Sequence, residues 1–219
     1  MKKRLSTKIL SVFLSLLMVI SVLPTGAITA HAAQNGVERK LAEVVKLFPN
    51  NSYFSVNGRA CPKNHGNACY NCYYPNVVNQ RLKYGWKNTY GSWSCYGFSC
   101  FVTRYIFGTE WPKASYVVGS ASVSNATACN NLLNKAKVGD IVSFGTRHRT
   151  IYLGKTNSGV IVYDANQGDK YGLCNQVKYY HTFSYANLKR YYGNINIELR
   201  RMNNYDSVAG KPEPVQPSK

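Results

Sequence analysis

The sequence predicts an α+β domain. Two observations carry this: segments with apolar residues at helical spacing fill the first half, and short strands separated by turn residues fill the second. The change of period falls at Gly139-Asp140. Recurrence at i, i+3 and i+4 marks one face of a helix, and short alternating runs mark strands. Helices followed by strands that can pair through hairpins give an α+β arrangement with an antiparallel sheet.

The elements follow in order. Residues 1–32 read as a removable signal peptide: Lys2, Lys3, Arg4 and Lys8 precede an apolar stretch over 9–23, and Ala30-His31-Ala32 supplies small residues for cleavage. That stretch is shorter than the roughly 20 residues needed to cross a bilayer, and no later one is long enough. A helix is predicted over 37–48, with Val37, Leu41, Val44, Val45 and Phe48 on one face and Pro49 ending it. Residues 50–80, rich in Asn, Gly, Tyr and Cys, read as loop. A second helix is predicted over 94–107, with Ser94 as its cap, Phe98, Phe101, Val102, Tyr105 and Ile106 buried, and Gly108 at its end. A third covers 124–137. Strands are expected over 141–144, 148–155, 160–166, 177–183 and 195–201, with a hairpin turn at 156–159 and a helix over 184–192. The domain is thus read as 33–206, with a cysteine-rich loop at 57–75. The tail 207–219 carries Pro212, Pro214 and Pro217 and no aromatic residue, and reads as extended and solvated.

Charge narrows the partner. Without residues 1–32 the chain has 23 basic and 9 acidic residues, a formal +14 over 187 residues. Such a surplus points to an anionic partner or surface. A bacterial wall with its anionic polymers fits and is preferred. Nucleic acid fits on charge alone and is the rival, and solubility is the bland explanation.

The chain has seven cysteines, at 61, 69, 72, 95, 100, 129 and 174. An odd number in an exported monomer leaves at least one thiol unpaired. Cys61, His65, Cys69 and Cys72 are spaced so that a tight loop could gather them around zinc. Disulfides are the preferred reading, because an oxidising compartment favours them. In either case the group staples a loop, and no cofactor is expected.

The candidate chemistry lies elsewhere. Cys95 stands in the first turn of the second predicted helix, where the dipole favours a thiolate. Structurally it could instead be half a disulfide or a core thiol. Cys100 is an unsuitable disulfide partner, since residues five apart on a helix are offset in angle and too distant. His148 opens a strand after the Gly139-Asp140 turn, where a sheet edge could present it to the helix start; His65 belongs to the cysteine-rich loop and His181 to another strand. Asp164 and Asn166 share a strand face by period two, beside the strand that His148 opens. Either could accept the Nδ1–H of His148 and fix its tautomer. The bland reading of 164–168 is a strand-end turn. A thiol, an imidazole and a carboxylate or amide, in that order, are the parts of a cysteine hydrolase.

Four segments carry a resemblance: Ser94-Cys95-Tyr96-Gly97-Phe98, Val138-Gly139-Asp140-Ile141-Val142, His148-x2-Ile151-Tyr152-Leu153-Gly154, and Asp164-x-Asn166. Together they resemble the CHAP amidases and, more distantly, the NlpC/P60 peptidases, papain-like families that cut peptidoglycan peptides. The likeness covers roughly residues 84–200. It implies helices carrying the cysteine packed on an antiparallel sheet carrying the histidine and the Asn or Asp. It implies Cys95 as nucleophile, His148 as general base and acid, and Asn166 as direct partner of His148, with Asp164 nearer the rim. The acid of the CHAP group is usually Glu; here it is Asp164. The papain-type glutamine six residues before the cysteine is replaced by Thr89. The Cys95 N–H remains as an oxyanion donor, with Tyr84 and Tyr90 as candidates for a second. The expectation is a secreted, monomeric peptidoglycan amidase or endopeptidase. Its rivals are a non-catalytic basic wall-binding module and a basic nucleic-acid-binding protein.

Overall fold

The computed structural model describes residues 35–52, 54, 95–165 and 176–210. The predicted signal peptide, the cysteine-rich loop with Cys61, His65, Cys69 and Cys72, the positions Tyr84, Thr89 and Tyr90, Asn166, and the tail beyond 210 lie outside these residues.

The first helix, α1 (Gly36–Leu47), starts at Asn35, whose side-chain oxygen accepts from the Val37 and Glu38 N–H groups at 3.0 Å each. Glu38 returns a bond to the Asn35 N–H at 3.3 Å, completing a capping box that satisfies otherwise orphaned donors. Its apolar face, Val37, Leu41 and Val44, is buried. Helix α2 (Cys95–Phe107) buries Phe98, Phe101, Val102 and Ile106, and its interior hydroxyls turn back on its own carbonyls: Thr103 Oγ1 donates to Ser99 O at 2.8 Å. A single turn, α3 (Trp111–Ala114), is fastened to α2 by Trp111 Nε1, which donates to Ser99 Oγ at 3.0 Å.

Strand β1 (Ser115–Ser122) and helix α4 (Ala126–Leu133) come next. Then follow β2 (Ile141–Phe144), β3 (His148–Thr156), β4 (Gly159–Ala165), β5 (Val177–Ser184), α5 (Tyr185–Tyr192), β6 (Asn196–Met202) and α6 (Tyr205–Ala209). The six strands form one antiparallel sheet in the order β1-β6-β2-β3-β4-β5. The α+β class is therefore as the sequence predicts. Helices cover both faces, and alternation along β2 shows why: Ile141 joins the core with α1 and α2, and Val142 and Phe144 join the core with α4 and α5. Among the described residues no helix is long and apolar enough to cross a membrane.

Three differences from the sequence reading have physical causes. Strand β1 was not expected; it lies at the sheet edge, its Tyr116 and Val117 are exposed, and no alternating apolar signal survives there. The third helix is shorter than 124–137 at both ends: Asn125 caps its start, accepting from the Ala128 N–H at 3.0 Å, and past Asn134 the chain tightens into i,i+3 turns, Lys135 N–H donating to Leu132 O at 3.0 Å and Ala136 N–H to Leu133 O at 3.2 Å. The tail begins later than 207, because Tyr205 and Val208 are buried and α6 continues to Ala209.

The Gly139-Asp140 turn is a structural clamp. Gly139 has φ +91°, which L side chains rarely adopt, and a Cβ there would meet Val37 Cγ1 at 2.6 Å. Asp140, fully buried, accepts from Arg201 Nε at 2.9 Å and from Arg201 Nη2 at 2.7 Å, which locks the start of β2 to β6.

Candidate active site

Tyr163, in the middle of β4, fixes the site's frame. Its ring packs edge-on against Phe98 of α2 with centroids 4.9 Å apart, and its hydroxyl donates to Phe48 O at 2.5 Å. The strand that carries Asp164 is thus tied to the helix that begins with Cys95. Alternation then sends Asp164 to the opposite side of the sheet from Tyr163.

Asp164 is fully buried and holds two histidines. Its Oδ2 lies 2.8 Å from His148 Nε2, and its Oδ1 lies 3.1 Å from His181 Nδ1. Burial alone would raise its pKa; the two imidazole N–H groups outweigh that and hold the carboxyl below its ordinary range. Ionised, it can only accept, so Nε2–H of His148 and Nδ1–H of His181 are the donors. The bond from His148 therefore leaves through Nε2, not through the expected Nδ1, and Nδ1 is the nitrogen left for Cys95.

Cys95 is hydrogen-bonded to His148, and the Arg149 backbone N–H donates to its sulfur. Burial pushes the thiol up. The His148 charge, its hydrogen bond and the Arg149 N–H together prevail, and the Cys95 pKa falls below its ordinary value against the opposing field of Asp164. Burial likewise would lower His148, but the thiolate and the Asp164 carboxylate raise it above the ordinary imidazole value. The two shifts agree in favouring a thiolate–imidazolium pair. Phe144 stacks on the His148 ring at 6.1 Å and Phe183 meets it edge-on at 5.9 Å, an apolar wall that keeps the ring from turning.

The structure brings Cys95, His148 and Asp164 together. The placement of Asp164 at the rim is corrected, since it is fully buried and directly bonded to His148. Asn166 lies outside the described residues. His181 was missed as a member of the group. Its strand register carries the reason: β5 slips against β4 between Val162 and Asp164, and Tyr180 takes φ 60°, a left-handed conformation rare for a tyrosine. That bulge sets His181 opposite Val162 and within reach of Asp164. The signal available was a histidine on the strand next to the one bearing the acid.

Among the described residues Cys95, Cys100 and Cys129 are free thiols. Comparison with known proteins returned no matching family model, no similar curated protein and no similar solved structure.

Proposed function

We propose that this chain is a papain-like cysteine hydrolase that cuts an amide bond of peptidoglycan. The observation that carries the reading is the chain Cys95–His148–Asp164 at a helix start, with the thiol lowered and the imidazole raised. A preformed thiolate needs no separate base to become a nucleophile. Cys95 Sγ attacks the carbonyl carbon, and the carbonyl oxygen takes the negative charge. The Cys95 N–H, at the helix start, is the proposed donor to that oxygen. The tetrahedral species collapses, the C–N bond breaks, and Nδ1–H of His148 protonates the leaving amine. Water then attacks the thioester, giving one proton to His148; the C–S bond breaks, the thiolate is restored, and the carboxylic acid leaves and loses its proton to solvent. Asp164 keeps the imidazole in one tautomer and one orientation throughout.

The peptidoglycan part rests on the resemblance to the CHAP group and on the charge of +14, which suits a wall carrying anionic polymers. Export is part of the proposal and rests on the signal-peptide reading of residues 1–32, and a monomer is proposed with it.

Digestion of purified walls from several bacteria, with mass spectrometry of the released muropeptides, tests the proposal. New amino and carboxyl ends at one bond type, absent with the Cys95→Ala protein, are expected. Equal release by a folded Cys95→Ala protein would overturn it. Retention on walls without any cleavage would favour the non-catalytic binding module.

A further inference from the structure

We propose that Arg149, Arg200, Ser143 and Trp111 form an anion subsite beside Cys95 that receives a free carboxylate of the substrate, close to the amide bond that is cut. This rests on the hydrolase reading and adds the substrate's chemistry to it.

Alternation along β3 sends Arg149 to the sheet face opposite His148, the face that α2 covers. Its backbone N–H already donates to the Cys95 sulfur, so the residue borders the nucleophile. The register continues the row: Arg149 pairs with Ser143, Ser143 pairs with Glu198, and Arg200 lies two positions further on β6. The guanidinium carbons of Arg149 and Arg200 lie 5.9 and 5.8 Å from the centroid of the Trp111 ring. Trp111 is itself fixed by Ser99 and by the Tyr96 ring at 5.4 Å.

Two polar atoms in this row are buried without a partner among the described residues: Arg149 Nε and Ser143 Oγ. Buried donors are nearly always satisfied, so two orphans in one row, next to a reactive sulfur, point to a group that arrives with the substrate. The Arg149 Nη1 is spent internally, donating to Gly145 O at 2.7 Å and His148 O at 3.0 Å, which holds the fork in place. Arg200 Nε donates to Glu198 Oε1 at 2.6 Å, and both side chains are partly exposed. Glu110, the other acid of this region, is engaged by Arg104 and Lys113. Two guanidinium charges against the one Glu198 carboxylate leave the row one positive charge in excess. A single carboxylate matches that excess, and the planar fork suits its two oxygens.

The test uses alkylation of Cys95, which needs no turnover. Sulfur displaces iodide from either iodoacetate or iodoacetamide; an S–C bond forms, the C–I bond breaks, and iodide leaves. The ratio of the two rates at Cys95, followed by peptide mass, reads the field for a carboxylate. His148 contributes equally in every protein compared, so differences between variants isolate the row. Arg149→Gln and Arg200→Gln should each lower the iodoacetate-to-iodoacetamide ratio, by about three- to tenfold. Glu198→Gln should raise it, by about two- to threefold, a change that misfolding does not produce. Ratios unchanged in all three variants would overturn the subsite.

A second arm uses walls whose carboxyls have been converted to carboxamides by carbodiimide and ammonia. The wild-type kcat/KM should fall by about tenfold or more on the amidated walls. Equal cleavage of both walls would overturn the subsite and leave the hydrolase standing. No cleavage of either, with the alkylation ratios as expected, would overturn the hydrolase reading and leave the anion subsite standing.

Discussion

Cys95 and Cys100 stand five residues apart on α2, one at the helix start beside His148 and the other inside the core. Burial raises the pKa of both thiols. At Cys100 nothing strong opposes it: the Glu110 carboxylate adds to the effect, the bond from Trp111 and the charge of Lys113 are too weak to reverse it, and the thiol is pushed up to about 12. Cys129, on α4, is raised by burial alone and donates to Ser122 O at 3.2 Å. Of the three described thiols, Cys95 alone has an imidazole, backed by a buried carboxylate, that turns the direction around. The lesson is that the thiol's partner decides its reactivity, and that desolvation is the common background against which the partner works.

Removing each thiol should expose that difference most sharply. Cys95→Ala is expected to lower turnover by about 10⁵-fold or more, with melting near that of the wild type. Cys100→Ala is expected to do the reverse: near-normal turnover, and roughly 1–2 kcal/mol lost from the cavity left at this fully buried position. Muropeptide release and thermal melting on both proteins check this.

The next effect is at the residue behind His148. Asp164→Ala should cost about 10³–10⁴-fold in kcat, because imidazole loses its tautomer lock and a buried N–H is orphaned. Asp164→Asn should be milder, since an amide oxygen still accepts. Asn166→Ala should cost less than Asp164→Ala, the reverse of the order the sequence favours. Steady-state kinetics on the three variants rank them directly.

The same groups set the dependence of activity on pH. The thiolate forms as pH rises through the lowered Cys95 value, and the imidazolium is lost as pH rises through the raised His148 value. The rate of kcat/KM should therefore be bell-shaped, with its alkaline limb well above the ordinary 6.5 of histidine. Stability follows the same groups. Asp164 is held low, so its contribution is present above the ordinary 3.8 and is lost as pH falls through the folded value. His148 is held high, so its contribution is complete below 6.5 and is lost as pH rises through the folded value. Denaturant melts across pH should show the highest stability between those limits.

The smallest effect concerns the frame. Tyr163→Phe removes the hydroxyl bonded to Phe48 O and should cost about 1–2 kcal/mol, with little change in turnover. Urea melts beside kcat measurements check that pair.

How much of this was legible in the sequence depended on periodicity. Strands β2 to β6 and helices α1, α2 and α5 fall within a residue or two of the expected bounds, because each carries a strong apolar repeat. The pairing of β3 with β4 followed from the turn at 156–159. What the sequence could not yield was the register beyond the turn. Slips at Tyr152/Gly154 and Val162/Asp164 decide which side chain meets His148, and a bulge leaves no mark on a period-two pattern. The family resemblance and the cost of a second buried charge favour Asn166 over Asp164. The structure meets that cost differently, with two histidine N–H groups on one carboxylate. Arg149 and Ser143 were equally unreadable, since orphaned buried atoms exist only in three dimensions.

The most direct measurement is the rate of iodoacetamide alkylation at Cys95 and at Cys100 across pH, in the wild type and in His148→Ala, resolved by peptide mass. Wild-type Cys95 should gain reactivity at a pH below that of an ordinary thiol, and His148→Ala should move this rise upward. Native Cys100 should stay about 10³-fold slower or more at neutral pH, because its thiol is pushed up to about 12 while that of Cys95 is held below the ordinary thiol value. A wild-type Cys95 that gains reactivity only at or above the ordinary thiol value, unchanged by loss of His148, would mean that His148 does not activate the thiol.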